Sequence, residues 1–408
     1  MTVPRSVADH RQAVAELLTG ATNNNGHRRL PLLEALGKAL AVDVYAPLSL
    51  PPFANSQMDG FAVRSADIPD DGAELWVAAP VPAGAAPAPL KAGFAAPIMT
   101  GAMIPDGADA VVPIEKATPN SFPEATAKDA VVDVPAVAPG TYVRNAGSDI
   151  EKGALALAAG SLLGPAQLGL LAALGLATVE VRESLRVLLV TTGDEVVEPG
   201  EELTAGKIYD SNGTLLEASM RQAGLDVVRA GISDDDPASL LTVLHRYTRK
   251  TDSPVDLIVT TGGVSKGAYE VVRQAMSGHA VDFLPVAMQP GGPQGLGTFN
   301  DVPFLGFPGN PVSCLVSFEM FLRPALSQVV GHPAPRLVRK AVLAEPLTSP
   351  DGKHQVRRGT VGGDGVLRME GGAGSHLVHA LARANALVQI PIGVTELAAG
   401  AEVEVWML

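Results

Sequence analysis

Cysteine, aromatic residues, basic charge and long apolar runs are all scarce in this sequence, and each shortage excludes something. Cys314 is the single cysteine in 408 residues, so an intrachain disulfide is excluded and a reducing compartment fits. Its setting, Pro311-Val312-Ser313-Cys314-Leu315-Val316, reads as a packed helix and therefore as a buried structural thiol rather than a nucleophile. Aromatic residues make up 4% of the chain, so the cores must be built mostly from Ala, Val and Leu. Acidic residues outnumber basic ones 43 to 30, for a net charge of −13, which argues against nonspecific nucleic-acid binding. Any anionic ligand must then be held by backbone N–H groups, a few local cations or a metal. The longest apolar region, Ala154 to Val181, is broken by Gly160, Ser161, Gly164, Pro165 and Gly175. It reads as a strand or turn followed by a buried helix, not as a membrane span. The opening MTVPRSVADH has no apolar signal core, so a cytoplasmic location is expected.

What is present is a hydrophobic content of 47% with 18% charged residues, the balance of a well-packed globular protein of several domains. Helical spacing covers Ser6–Leu18 and His27–Leu40, the second interrupted early by Pro31. From Leu50 to about Tyr142, proline and glycine recur and valine-rich runs are short, which predicts a separate β domain with Ala78–Pro97 as loops or an edge. Helical character returns at Gly164–Gly175. Strands are then predicted at Leu185–Val190, Asp226–Ile232, Asp256–Thr260 and Phe304–Phe307. Between and after them come helices at Asn212–Gln222 with Ser211 as N-cap, Pro237–Arg249 capped by Asp235 or Asp236, Ala268–Met276, and Pro311–Leu326 with proline in its first turn. This alternation implies a parallel sheet covered on both faces, with ligands at the carboxyl ends of its strands. The expected organisation is a discontinuous helical section (1–50 and 146–183), an inserted β domain (51–145), a central three-layer α/β/α domain (184–330), and a small β-barrel-like C-terminal domain (331–408).

Three runs sit at the predicted strand ends or helix starts: Thr191-Thr192-Gly193-Asp194-Glu195, Tyr209-Asp210-Ser211-Asn212-Gly213 and Thr260-Thr261-Gly262-Gly263-Val264-Ser265. A strand turning through glycine into a helix presents free backbone N–H groups and a positive dipole end, a seat for phosphate-like anions. Carboxylates beside that seat suggest a metal, or a pterin or nucleobase ring, in the same pocket. Each run also has an ordinary structural explanation, because Asp, Ser, Thr and Asn cap helices and turns for local reasons. The double glycine is the more specific signal, since it allows close backbone approach to a ligand, and Lys266 follows it with a point charge. Gly306-Phe307-Pro308-Gly309-Asn310-Pro311-Val312-Ser313 forms a further rigid strand-to-helix corner.

Taken as a set, Asn55–Val63, Met99–Val112, Val143–Ile150, Thr191–Glu195, Tyr209–Asn212, Thr260–Ser265 and Gly306–Ser313 resemble, in order and spacing, the signature of the MoeA family. These are molybdopterin molybdotransferases, with which the E domains of gephyrin-type proteins belong. The resemblance covers nearly the whole chain. It implies a molybdopterin-binding fold and an enzyme that uses magnesium to insert molybdenum, supplied as molybdate, into adenylylated molybdopterin with release of AMP. It implies an elongated homodimer with an intersubunit active site, an upstream adenylyltransferase as a possible partner, and no nucleic acid or membrane. Residue by residue, it implies Asp59, Thr100 and Asp149 approaching from the partner chain, and Glu195, Asp235 and Glu270 as the acidic set, with Glu195 and Asp235 toward metal. Thr192, Gly193, Asp194, Asp210, Ser211, Asn212, Gly262, Gly263, Ser265, Lys266, Pro308, Gly309, Asn310 and Pro311 would hold or shape the cofactor pocket.

The chain departs from the family pattern on the basic side. Family members commonly carry K-x-x-x-K-P-G-K-P where this sequence reads Pro285-Val286-Ala287-Met288-Gln289-Pro290-Gly291-Gly292-Pro293, so Pro285, Gln289 and Gly292 replace the lysines. After the double glycine, Ala268 is followed by Glu270 where aspartate is usual, and a serine-bearing C-terminal turn reads Leu377-Val378-His379-Ala380. Lys266 is the expected relocated cation, with Arg383 or His379 as alternatives. A divergent paralogue that binds the cofactor or partner proteins without inserting metal is the other reading these losses leave open. The preceding adenylyl-transfer enzyme is a third, opposed by the large flanking domains.

Overall fold

The structure, a computed structural model, describes residues 3–22, 26–123, 129–232, 236–248, 254–265 and 270–408. Its contacts divide the chain into two compact units. One consists of Arg29–Leu36 and Leu40–Val181; the other consists of Met1–Arg28, Gly37–Ala39 and Arg182–Leu408. The first helix, α1 (Val7–Thr22), belongs to the second unit. The helix expected over His27–Leu40 does not form. His27–Pro31 is a strand and only Leu32–Ala35 makes a single 3₁₀ turn. Pro31 lacks an amide donor and lies in extended backbone (φ −54°, ψ 149°), so a helix cannot run through it.

The unit ending at Val181 contains a five-stranded sheet of β1 (Gly60–Val63), β2 (Ala73–Val77), β3 (Phe94–Ile98), β4 (Ala110–Pro113) and β5 (Val131–Val134), in the order β4-β1-β3-β2-β5. Successive side chains enter opposite apolar clusters. Phe61, Val63, Ala95 and Val112 pack on one face, and Ala62, Ala96, Ile98 and Val111 on the other. Phe94–Pro97, expected in a loop or edge, is thus the central strand. Its alanines are small enough for both faces to close over it, a property that composition alone does not display. Helix α2 (Pro165–Ala173) follows, with proline in its first turn.

In the second unit, from Arg182 onward, the predicted alternation is present. The elements are β6 (Arg186–Thr192), α3 (Ser211–Gln222), β7 (Asp226–Ile232), α4 (Pro237–Thr248), β8 (Leu257–Thr261), α5 (Val271–Ala275), β9 (Ala280–Pro285), β10 (Met288–Gln289), β11 (Pro293–Phe299), β12 (Val302–Phe307), α6 (Pro311–Ser317) and α7 (Arg323–Val330). A π-helical turn, Phe318–Leu322, joins the last two helices. Sheet order is β7-β6-β8-β12-β11-β9. The first four strands are parallel, but β11 and β9 run antiparallel to their neighbours, so the sheet is mixed rather than wholly parallel. Asn300 and Asp301 cause the reversal: both have positive φ (49° and 65°), and Phe299 pairs directly with Val302. This is the geometry of a two-residue hairpin turn whose twist matches the strands. The cap of α3 is Asp210 rather than Ser211, its Oδ1 accepting the Gly213 N–H at 2.8 Å.

Both faces of this sheet are covered. Val187 and Leu189 join the cluster that includes Leu216, Met220, Phe307 and Leu322, whereas Leu188 and Val190 join Leu240, Leu244, Val272 and Phe304. Helix α1 adds Val14, Ala15 and Leu18 to the first cluster. After α7 come β13 (Val338–Leu343), β14 (His354–Val361), β15 (Val366–Met369), α8 (Val378–Arg383), β16 (Ala386–Ile390) and β17 (Glu402–Met407). The order β14-β15-β13-β17-β16 closes by pairing β14 with β16, a five-stranded barrel around Leu343, Leu367, Val388 and Val405. Strand β10 pairs with β14 outside the closed ring. Among the described residues no helix is long and apolar enough to cross a membrane.

His10 on α1 is 1% exposed and stands edge-on to Phe321 with ring centroids 4.5 Å apart. Burial, aided by nearby Arg5, lowers its pKa from 6.5 to about 4. The folded chain therefore keeps this ring neutral while the unfolded chain protonates it, and its contribution is present above pH 6.5 and lost as pH falls toward 4. Urea unfolding is expected to show up to about 3 kcal/mol of acid destabilisation from this group. His10→Gln should flatten that part of the pH profile; an unchanged profile would reject the assignment.

Candidate functional site

A cleft of about 1070 Å³ opens at the carboxyl ends of β6, β8 and β12. Its walls come from Thr191–Gly193 with Glu195 and Val196, Ile208–Asn212, Gly262–Ser265 with Glu270, Met288–Pro293, and Pro308–Pro311 with Ser313. The C-terminal barrel contributes Lys353 and Ala373–His376. The three runs singled out in the sequence thus meet in one place, as open α/β sheets dictate.

Backbone proximity builds the floor. Gly262 has φ +93°, and a Cβ there would lie 2.9 Å from both the Thr192 carbonyl oxygen and Oγ1. Gly263 has φ +62°, and its Cβ would meet the Val272 amide nitrogen at 2.9 Å. No side chain fits either position. Around this point the Gly262 N–H donates to the Phe307 carbonyl at 3.1 Å, and Asn212 Nδ2 donates to the Gly309 carbonyl at 2.5 Å. The Cys314 thiol donates to the Pro308 carbonyl at 2.8 Å and lies 2.9 Å from Thr261 Oγ1. Burial pushes that thiol up to about 12, so it stays protonated and fastens the corner, as expected of a structural cysteine.

The acidic residues differ in what they are free to do. Asp210 is 4% exposed. One of its oxygens caps α3, and the other accepts Arg229 Nη2 at 2.6 Å; it supports the wall rather than reaching into the cleft. Glu270 Oε2 accepts the Ser265 N–H at 3.1 Å and braces the double-glycine loop. Glu195 lines the cleft with its carboxylate engaged by no other described side chain. Two buried atoms of other cleft-lining residues, Thr191 Oγ1 and Asn212 Oδ1, have no hydrogen-bond partner. Unpaired buried polar atoms are costly, and a bound ligand is one way to satisfy them. No three His, Cys, Asp or Glu among the described residues gather as a metal-ligating group.

Among the expected site residues, Asp194 does not line the cleft; its backbone carbonyl accepts Lys207 Nζ. Asp235 and Lys266, together with Ala268, lie outside the described residues. Of the two alternative cations, Arg383 is paired with Glu370 at 3.2 Å, and neither it nor His379 is among the residues lining the cleft. Lys353 and His376 line it instead. Neither falls in a motif or a periodic pattern, so only strand pairing and loop placement could reveal them.

The Asp59, Thr100 and Asp149 positions belong to the other unit and are described by themselves. Asp59 Oδ1 accepts both the Thr100 N–H at 2.6 Å and the Thr100 hydroxyl at 2.8 Å. These bonds, the backbone one foremost, hold the exposed Asp59 carboxyl below the usual aspartate range. The Asp149 amide donates to the Leu50 carbonyl at 3.0 Å. Thr100→Val removes only the hydroxyl donor. The Asp59 midpoint, followed by NMR titration, should therefore rise part of the way toward that of a free aspartate, and an unmoved midpoint would contradict the pairing.

Comparison with known proteins gives a consistent result along the chain. Family models match at residues 5–175 (MoeA N-terminal region, domain I and II), 188–328 ("Probable molybdopterin binding domain") and 340–408 (MoeA C-terminal region, domain IV). The chain is 44% identical over 422 aligned residues to Molybdopterin molybdenumtransferase 2 of Mycobacterium tuberculosis, covering 99% of this chain and 100% of that one. It is 33% identical to Molybdopterin molybdenumtransferase of Haemophilus influenzae, covering 88% of each. A crystal structure of a molybdopterin biosynthesis MoeA protein from Pyrococcus horikoshii superposes with a TM-score of 0.80 at 31% identity, covering 100% of this chain and 99% of that one. With the family's regions matched from end to end and its fold reproduced around the cleft, this chain belongs to the MoeA family.

Proposed function

We propose that this chain is a molybdopterin molybdenumtransferase that takes molybdate and adenylylated molybdopterin, places molybdenum on the dithiolene and releases AMP. The observation that carries the reading is the cleft itself. Glycine-bearing strand ends converge on one cleft beside a carboxylate that no described side chain engages, in a chain whose full-length relatives are named for this transfer. Those names also support an enzyme over a paralogue that only binds the cofactor.

The residues present suit the proposed chemistry. Thr191 Oγ1 and Asn212 Oδ1, buried and unpaired, would meet the donor and acceptor edge of the pterin. The loop from Gly262 to Ser265, braced by Glu270, would approach the phosphates closely. Glu195, with Asp235 as the second ligand implied by the family resemblance, would hold magnesium, which binds through one or two carboxylates together with substrate phosphates. The cation would neutralise charge developing on the phosphoanhydride. Asp210 and Cys314 would act only through the wall they stabilise.

The reading includes a homodimer in which the Asp59–Thr100 pair and Asp149 complete the site on the other subunit. The exposed, preformed pairing of Asp59 with Thr100 supports a role toward a separate surface. It also includes a cytoplasmic location, supported by the lone buried thiol, and an adenylyltransferase upstream as the source of the substrate.

Incubation with adenylylated molybdopterin, magnesium and molybdate should release AMP and yield active cofactor, and no turnover would reject the assignment. Glu195→Gln is expected to lower kcat by roughly 100-fold. If the site is shared between subunits, co-expressed Asp59→Asn and Glu195→Gln chains should regain about one quarter of wild-type activity, because half the dimers carry one intact site. Mixed chains no more active than either variant alone would remove the intersubunit arrangement.

A further inference from the structure

We propose that Arg229 is a positioning residue for the cleft: from the edge of the central sheet it clamps the segment bearing Glu195 to the start of α3 bearing Asn212, and so sets the separation of those two groups. The kinetic side of its test rests on the molybdotransferase reading; the clamp itself does not. Arg229 is not among the residues lining the cleft, so it acts only through the residues it holds.

Glu195 and Asn212 reach the cleft on two chain segments that give each other little support. Glu195 leads into Val196–Val197, which pairs in parallel with Ile208–Tyr209. The Ile208 N–H donates to the Glu195 carbonyl at 2.7 Å, and the Asp210 N–H donates to the Val197 carbonyl at 2.8 Å. This ribbon forms a sheet of its own, apart from the six-stranded one. So short a two-stranded pairing is not stable by itself, and a contact from outside must fix its open end.

Arg229 makes that contact. It lies on β7, the edge strand of the central sheet, opposite Leu189 of β6. Its Nη2 donates to Asp210 Oδ2 at 2.6 Å and to both oxygens of Glu198 at 3.1 Å. Glu198 directly follows the first strand of the ribbon, and Asp210 directly follows the second. The guanidinium therefore closes the ribbon and ties it to the sheet. The other oxygen of Asp210 holds the Gly213 N–H at 2.8 Å, next to Asn212. Nη1 stands 4.0 Å from Glu217 Oε2 farther along α3, and Glu217 Oε1 pairs with Arg221 at 2.9 Å.

Gly213 gives the guanidinium its room. A Cβ at this position would lie 2.7 Å from Arg229 Nε and Nη2, and closer still to Asp210 Oδ2. Glycine is a poor residue inside a helix; in the first turn of α3 it leaves the space that Arg229 occupies. Three carboxylates, Asp210, Glu198 and Glu217, face this one guanidinium, and Asp210 is 4% exposed. Removing the guanidinium leaves a buried carboxylate uncompensated beside two like charges. Glu198 is then driven away from Asp210, the ribbon opens, and Glu195 loses its fixed place relative to Asn212.

Hydrogen–deuterium exchange on wild type, Arg229→Met, Arg229→Lys and Glu198→Ala tests the clamp, with circular dichroism confirming fold. Glu198 is half-exposed, so its truncation leaves the core intact should Arg229→Met not fold. In Glu198→Ala and Arg229→Met the Ile208 and Asp210 amides should exchange at least about tenfold faster, while the amides of β6 and β8 stay protected. With adenylylated molybdopterin and molybdate, Glu198→Ala should raise the magnesium concentration for half-maximal AMP release about tenfold. Its KM for the pterin substrate should stay within about twofold of wild type, because only the Glu195 side is loosened. Arg229→Met frees Asp210 as well and should raise both values about tenfold. Arg229→Lys keeps the charge without the planar fork and should fall between wild type and Arg229→Met. Unchanged exchange at Ile208 and Asp210 in the folded variants, or faster exchange with both kinetic values at wild-type levels, overturns the proposal. Faster exchange in the variants while wild type releases no AMP leaves the clamp standing and rejects the molybdotransferase reading instead.

Discussion

The close approach of three strand ends at Gly262 is the constraint on which the site depends. A Cβ at this residue would lie 2.9 Å from Thr192 atoms, and one at Gly309 would lie 3.3 Å from the Gly262 Cα. With no side chains between them, β6, β8 and β12 bring their following loops into one cleft instead of three separate turns. The ties from Asn212 to Gly309 and from Cys314 to Pro308 hold that convergence. Strands buried on both faces give it a rigid base, because Val187–Val190 alternate between two apolar clusters and leave the chain no register to slip into.

Around that convergence the polar groups separate into those that build the wall and those left for a ligand. Asp210 and Glu270 spend their oxygens on a helix cap, an arginine and a loop amide. Among the described residues, Glu195, Thr191 Oγ1 and Asn212 Oδ1 have capacity to spare. The separation has a physical consequence: the committed carboxylates tune the shape of the cleft, while its chemistry falls to few atoms. On the facing side, the barrel reaches the cleft through the short pairing of β10 with β14. That contact couples the C-terminal domain to the site, since the same strand that closes the barrel against β16 also sets the position of Lys353.

Much of this was legible in the chain before folding. The alternation of β-branched runs with helices gave the central sheet, and the glycine-bearing ends named the walls of the cleft. The fold departs from the local pattern where a local signal is outweighed. Pro31 stopped a helix that the apolar spacing of His27–Leu40 suggested. The small residues of Phe94–Ile98 suited the middle of a sheet although their neighbours looked like loop. Asn300-Asp301 is a hairpin turn of left-handed residues, and it turned an apparently parallel sheet into a mixed one. Ser211 looked like the cap of its helix, but Asp210, one residue earlier, had the better-placed oxygen.

The sequence by itself determined which residues would stand at strand ends and helix starts, because propensity, periodicity and the needs of glycine and proline act over a few neighbouring residues. It also determined the chain's acidity and its single inert thiol. Only the tertiary structure decided which of those residues remain uncommitted and which cations reach them. That outcome turns on pairings such as Met288 with His354 and Val312 with Ser375, which join residues dozens of positions apart. No pattern of neighbours along the chain encodes such a meeting; it follows from the closure of a barrel against a sheet.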